Sequence, residues 1–467
     1  MNQKKYPVKR NEELIVEIEN VAFGGKGVCR YDDYVLFIPN TLPGDKVKIR
    51  VTRRKAGYGE ARILEMIDPS SLRQDPPCKY FEWCGGCTWQ NTNYEQQLEF
   101  KWNHVSESLN HIADIENINV QNPISAPKVW GYRNKMEFSF SDRRWLLPNE
   151  LGDMSIDKSF ALGLHVPGTF DKILAIDECL LQSNIANVIL RYVDQYCRNK
   201  SLKPYGIHSH DGFLRFLVIR ESSDSGELMV NIVTAYEDFP VLEDLAEELT
   251  QKFTQVVSVV NTINEKKAQI AYGEKEHVLF GENFIADKLL GMEFKISANS
   301  FFQTNTQQAE KLYRTVIEFA AVENKHLIWD LYSGTGTISL ILAKSAKFVT
   351  GFELIDSSVK DARKNAVKFG VKNIKFCTGD LLNNLSSIED QPDTIVTDPP
   401  RSGMHPKVTQ FLNSSGTQRI VYVSCNPTTM ARDLKILMEN YRLIKVQPVD
   451  MFPQTYHIEC VSLLEKR

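Results

Sequence analysis

A chain of 467 residues, against a usual domain size of ~100–200, implies about two to four domains. With 42% hydrophobic and 24% charged residues it is neither a disordered nor a membrane-embedded composition. A net charge of -4 argues against a uniformly basic nucleic-acid binder, but residues 1–67 carry 13 Lys+Arg against 9 Asp+Glu, so this segment alone is +4 and can offer a local phosphate-binding face. The basic start lacks the apolar core of a secretory signal, and no apolar run approaches the ~20 residues a bilayer requires. A cytoplasmic chain is therefore expected, with its nine cysteines serving as ligands, nucleophiles or core residues rather than disulfides.

Taken in chain order, residues 13–67 read as short strands (ELIVEIENVAF, CRYDDYVLFIP, KVKIRVTRRK, AGYGEARILEMI) broken by GGKG and LPGD, the pattern of a small barrel or sandwich. DPSSLRQDPPC marks a junction, and YEQQLEFKWNHVSESLNHI has apolar positions at helical intervals. From about 128 to 298, strand-like runs (RNKMEFSFS, FLRFLVIRES, ELMVNIVTA) alternate with helix-like ones (SNIANVILRYVDQYCRNK, FPVLEDLAEELTQKF), giving α+β character. Past 300, helix and strand alternate regularly: QQAEKLYRTVIEFAA, HLIWDLY, TISLILAKSA, KFVTGFE, SSVKDARKNAVKFG, NIKFCTGD, DTIVTDPP and RIVYVSC. That succession predicts a mostly parallel sheet covered on both faces, with ligands at the carboxyl ends of its strands.

The chemistry-bearing motifs fall at those ends. In IWDLYSGTGTISLILA, Asp330 closes a strand and Gly334 and Gly336 form a turn before a helix, a layout that brings backbone N–H groups close to a ligand. Glu353 ends the next strand, where a carboxylate can accept from both ribose hydroxyls of an adenosine cofactor. Ser339 stands where a complete dinucleotide fingerprint would have a third small residue, so the loop alone leaves the cofactor open. Asp398 ends an apolar strand before two prolines, DPPRSGMHP, which favours a methyltransferase over a dehydrogenase. Cys425 follows another apolar strand and precedes Asn-Pro and a helix-like run; a helix start there is expected to lower its pKa below the free value of ~8.5. Near the C-terminus, HIECVSLLEK supplies Glu459 on a strand-like run, with Cys460 on the opposite face and His457, read as structural, on the same face as Glu459. Finally, Cys78, Cys84 and Cys87, spaced C-x5-C-x2-C, together with the distant Cys179, could hold tetrahedral zinc or an iron–sulfur cluster; a single C-x2-C pair favours iron over a zinc ribbon.

DLYSGTGTISL, TDPPRSG, YVSCNPTTMARDL and HIECVSLLEK, in this order, resemble the RNA uracil-5-methyltransferases, in particular the bacterial 23S ribosomal RNA branch with an N-terminal TRAM domain. The resemblance implies a multidomain α/β protein: an OB-like TRAM barrel over 1–67, a central α+β domain over 72–90 and 128–298 bearing an iron–sulfur cluster, and a Rossmann-like class I methyltransferase domain over 91–127 and 299–467. It implies S-adenosylmethionine as methyl donor, held by Gln303, Tyr332, Gly334, Gly336, Glu353, Asp380 and Asp398, with Cys425 as nucleophile and Glu459 as base. It also implies a four-iron, four-sulfur cluster on Cys78, Cys84, Cys87 and Cys179, with zinc the lesser alternative. The expected partner is RNA, 23S ribosomal RNA foremost, with no membrane or obligate protein partner and a monomeric chain. Three rivals are separable: a transfer-RNA T-loop uracil-5-methyltransferase with the same chemistry, a non-catalytic iron–sulfur RNA-binding protein, and an amino or N6-adenine methyltransferase, which has no need of a thiolate.

Overall fold

The structure, a computed structural model, describes residues 6–115, 118–386 and 390–467. The chain divides into two compact units: one formed by residues 1–76, 88–126 and 310–467, the other by residues 77–87 and 127–309. Among the described residues no helix is long and apolar enough to cross a membrane.

In the first unit the N-terminal strands build a six-stranded sheet. Its order runs Glu13–Glu17, Lys46–Arg54, Tyr58–Asp68, Tyr34–Ile38, Gly27–Tyr31, Asn20–Val21, and it encloses a core that includes Ile18, Leu36, Val47 and Ile49. The run expected as one strand, CRYDDYVLFIP, is a hairpin. Asp32 and Asp33 both have positive φ (48° and 62°), the conformation a two-residue turn needs to match strand twist.

The same unit holds a seven-stranded sheet. We label its strands β1 (Leu327–Leu331), β2 (Phe348–Glu353), β3 (Ile374–Thr378), β4 (Thr394–Thr397), β5 (Arg419–Ser424), β6 (Tyr441–Val449) and β7 (Glu459–Lys466); their order is β3-β2-β1-β4-β5-β7-β6. β7 is antiparallel to both neighbours, and the pairs from β3 through β5 are parallel. The strand order reverses between β1 and β4, so a ligand crevice opens beyond their carboxyl ends. The helix Tyr94–Ile112, started by the Asn93 side chain accepting from the Gln96 N–H, contributes Val105 and Leu109 to the core of this sheet.

The second unit is an eight-stranded sheet. Its central strands Val256–Ile263, Leu228–Thr234, Leu214–Glu221 and Lys135–Ser141 are buried along most of their length, and the helices Asn184–Asn199 and Phe239–Lys252 share their core. A separate hairpin, Phe284–Leu289 with Met292–Ser297, also belongs to it.

Candidate active site

Eight of the nine candidate donor-binding and catalytic residues gather at one end of the seven-stranded sheet because each stands at a strand end or in the turn that follows one. The turn after β1 is held from β2: the Gly334 N–H donates to Glu353 Oε2 at 3.0 Å, and the Ile355 N–H to Oε1 at 2.9 Å. Glu353 therefore spans the two loops, and each oxygen retains a lone pair for a ligand hydroxyl. Gly336 has φ 82° and caps the helix Thr337–Ala343; a Cβ there would sit 2.7 Å from the Phe376 ring, so both conformation and space demand glycine. Tyr332, itself at φ 63°, Glu353 and Asp380 line a cavity of about 260 Å³ together with Phe352, Leu381 and His405. Apolar walls beside a carboxylate at the tips of β1, β2 and β3 fit an adenosyl group: flat base between side chains, ribose on Glu353.

Asp330, in β1, is fully buried, with one oxygen accepting from the Ser339 hydroxyl and the other without a hydrogen-bond partner among the described residues. Burial pushes its pKa to about 7, with Asp398 and Glu353 adding repulsion. Asp398, at the end of β4, is raised to about 6 by burial.

The thiol and the second carboxyl come together through strand register. Ser424 of β5 pairs with Cys460 of β7, so Cys425 and Glu459, the next residues outward, lie side by side at the cleft end. Glu459 is only 8% exposed; burial first, and then Asp398, raise its pKa well above the usual carboxyl value, while Arg401 opposes the shift. Cys460 turns to the opposite face and is buried in the core.

The expected low thiol pKa is not found. Burial and the adjacent Glu459 push Cys425 up to about 11, with Arg401 the largest influence pulling it down. The helix start that was to lower it, Pro427–Leu437, has its first turn occupied: the Asn426 side chain accepts from the Thr428 N–H at 3.1 Å. His457 is not on the strand with Glu459 but in the connection before it, its ring 4.1 Å from that of Tyr456 and 3.4 Å from the Arg401 guanidinium.

Arg401 and Asp433 escaped the sequence reading. Arg401 stands in the DPPRSG run, and its carbonyl accepts from the Asn426 amide at 3.2 Å, tying the β4 loop to the Cys425 loop. Asp433 is buried on the helix after Cys425 and accepts from the Met404 N–H and the Tyr422 hydroxyl, each at 2.8 Å. The available signal was a helical aspartate in an otherwise apolar stripe, MARDLKIL. Gln303 belongs to the other unit, where its carbonyl accepts from the Asn134 amide at 3.0 Å.

All four cysteines of the expected cluster lie in the second unit and none forms a disulfide. Burial, with Cys179 and Cys78 adding to it, pushes Cys84 up to about 12, and burial and Cys78 raise Cys179. Among the described residues, however, no group of three or more His, Cys, Asp or Glu is disposed to hold a metal ion, Cys78, Cys84, Cys87 and Cys179 included.

Residues 225–467 match the family model described as tRNA (uracil-5-)-methyltransferase, and residues 7–64 match the TRAM domain. The chain belongs to the RNA uracil-5-methyltransferase family. It is 40% identical over 462 residues (96% of this chain, 99% of the relative) to a Porphyromonas gingivalis protein described as an uncharacterized RNA methyltransferase. A Chlorobaculum tepidum protein of the same description is 42% identical over 433 residues, 91% of this chain and 90% of the relative. Among solved structures, the Pyrococcus abyssi tRNA (uracil-54, C5)-methyltransferase in complex with S-adenosyl-L-homocysteine superposes with a TM-score of 0.74 at 29% identity, covering 97% of this chain and all of that one. This uracil-5-methyltransferase therefore uses S-adenosylmethionine, and the cavity beside Glu353 is the part of its sheet whose shape and lining suit the adenosyl moiety.

Proposed function

We propose that the chain methylates C5 of a specific uridine in 23S ribosomal RNA, giving 5-methyluridine through a covalent bond between Cys425 and C6 of the ring. The adjacency of the Cys425 thiol to the Glu459 carboxyl, at the strand ends that also carry Asp398, supports this reading. C5 of uracil is too electron-poor to be alkylated directly. The Cys425 sulfur, its proton lost to solvent, adds to C6 and drives the ring electrons onto O4, which makes C5 nucleophilic. S-adenosylmethionine, when bound, supplies an electrophilic methyl group to that carbon. Glu459, as carboxylate, then takes the C5 proton, the C5–C6 double bond re-forms, and Cys425 leaves as thiolate. A buried carboxyl with a raised pKa is a stronger base for this step than a solvated one, and such bases contribute ~10²–10⁴ in rate. Tyr332, Gly334, Gly336, Glu353, Asp380 and Asp398 hold the donor on this reading. The target uridine has to leave its stack to reach the thiol.

The TRAM barrel and the four cysteines support the ribosomal substrate. One observation favours a second reading, the T-loop uridine of transfer RNA: the Pyrococcus abyssi protein, whose name specifies tRNA uracil-54, aligns along nearly the whole chain. Mapping 5-methyluridine by mass spectrometry in both RNAs of a deletion strain separates the two, and loss confined to tRNA rejects the first. RNA bearing 5-fluorouridine tests the chemistry, because fluorine cannot leave as a proton. The wild type then accumulates a stable protein–RNA adduct and Cys425→Ala does not. Absence of adduct in the wild type would return the binding-only alternative.

We further read Cys78, Cys84, Cys87 and Cys179 as ligands of a four-iron, four-sulfur cluster. Cys78 and Cys179 both act electrostatically on Cys84, and Cys78 on Cys179, so these three thiols stand near one another, and the single C-x2-C pair favours iron over a zinc ribbon. Protein purified without oxygen is expected to contain about four iron and four acid-labile sulfide per chain, lost in Cys84→Ser. One zinc per chain would overturn the assignment.

A further inference from the structure

The connection between β6 and β7, residues 450–458, ends at Glu459 and is fastened by the helix Tyr94–Ile112, some 350 positions earlier in the chain. Lys101 and Asp450 form a 2.6 Å ion pair with both side chains wholly buried, and the same ammonium donates to the Phe452 carbonyl at 3.1 Å. The Tyr94 hydroxyl donates to the other oxygen of Asp450 at 2.8 Å. Between these two anchors Gln97 meets Gln454 edge to edge: the Gln97 amide donates to Gln454 Oε1 at 3.0 Å, and Gln97 Oε1 accepts the Gln454 backbone N–H at 2.9 Å. Gln454 has φ 69°, a left-handed conformation that a residue with a long side chain keeps only when it is held. Positions 94, 97 and 101 share one helix face, so a single rigid element carries all three anchors. Through Val105 and Leu109 the same helix shares its core with Met430 and Leu434 of the helix that follows Cys425.

A buried ion pair is a poor way to add stability, since packed apolar side chains of the same volume do as well or better; its best-attested use is to fix one geometry. We infer that Tyr94, Gln97, Lys101 and Asp450 are positioning residues for the proton-removal step, holding the 450–458 connection so that Glu459 stays within reach of C5 while the thiol acts. The inference rests on the assignment of Glu459 as the base. Its consequence is selective: loosening the connection slows release of methylated RNA and leaves thiol addition and methyl transfer nearly unaffected, because Cys425 sits on a different strand.

The test uses the full chain, undermethylated total RNA from a deletion strain, and S-adenosylmethionine labelled in its methyl group. Label is followed separately into the covalent protein–RNA adduct and into free RNA in a single turnover. Gln97→Ala removes the clamp; Gln454→Gly removes its side-chain half, keeps the backbone N–H bond to Gln97 Oε1, accepts the left-handed φ without strain, and carries the test if Gln97→Ala does not fold. Each is expected to transfer methyl within about threefold of wild type but to release free methylated RNA at least about tenfold more slowly, with labelled adduct persisting, and Gln97→Glu, which keeps the acceptor for the Gln454 N–H, recovers part of the release rate. Transfer and release falling in proportion, or release at the wild-type rate, would overturn the inference. Glu459→Gln run alongside separates the two claims. If it fails to stall the adduct, the assignment of the base is wrong; if it stalls and neither glutamine variant does, only the positioning role is wrong.

Discussion

Removing the Arg401 cation should slow addition of Cys425 to the ring by a calculable amount. The thiol sits at about 11, so at pH 7.5 roughly one molecule in three thousand carries the thiolate. Arg401 is the cation that opposes this rise, and it opposes the rise of Glu459 as well. A unit charge at ~6 Å with an effective dielectric of ~20 is worth about two pK units, but Arg401 is solvent-exposed and screened, which reduces its effect to ~0.5–1 unit. A cation stabilises the thiolate, so Arg401→Met raises the thiol pKa further and moves the ascending limb of the pH–rate profile to higher pH by that amount. At pH 7.5 the addition rate is expected to fall ~3–10-fold, while Arg401→Lys, which keeps the charge, retains most of it. The assay is the rate of adduct formation on saturating 5-fluorouridine RNA between pH 6.5 and 10; fluorine blocks the proton-removal step, so the accompanying change in Glu459 does not enter. A profile that stays in place, or moves to lower pH, refutes the electrostatic account of this site.

Much of the seven-stranded sheet was legible because its strands are apolar runs that end at a glycine or acid and give way to helical periodicity. β1, β2, β4 and β5 start and stop within a residue or two of their apolar runs. The same property made Glu353, Asp398 and Cys425 readable, since a residue that follows a parallel strand faces the crevice. What escaped depends on contacts the local pattern does not encode. β6 has a proline in its last turn of alternation, and the short helices Leu381–Ser386 and Pro406–Ser414 are too brief for a periodic signal. The adjacency of Glu459 to Cys425 follows from the antiparallel insertion of β7 beside β5, a property of topology. The sign of the thiol shift was misjudged for the same reason: the helix start is a local feature, but burial and a carboxyl 34 positions away outweigh it. Gln97 and Gln454, 357 positions apart, are unremarkable glutamines until the fold brings them together.

Three further perturbations probe the cofactor side of the site. Gly336→Ala sets a methyl 2.7 Å from the Phe376 ring at φ 82°, a cost of ~1–3 kcal/mol, so S-adenosylhomocysteine should bind at least about tenfold more weakly by calorimetry; unchanged affinity would mean the turn is free to move. Asp433→Ala frees the Met404 N–H and the Tyr422 hydroxyl and should cost roughly 2–4 kcal/mol in denaturant unfolding, whereas a loss below about 1 would show that the β4 loop does not depend on it. Asp330→Asn tests the buried carboxyl by linkage. Its folded pKa of about 7 lies above the ordinary 3.8, so the folded state holds this proton more tightly than the unfolded chain does. The group's contribution is therefore most favourable below about pH 4 and is lost as pH rises through about 7, a swing of about 4 kcal/mol. Asparagine does not titrate and still accepts from Ser339, so the variant's melting temperature should gain on the wild type steadily across that interval and the gap should then level. A gap that is flat from pH 4 to 8 would mean that Asp330 is ionised throughout, and a partner for its second oxygen would then have to be found.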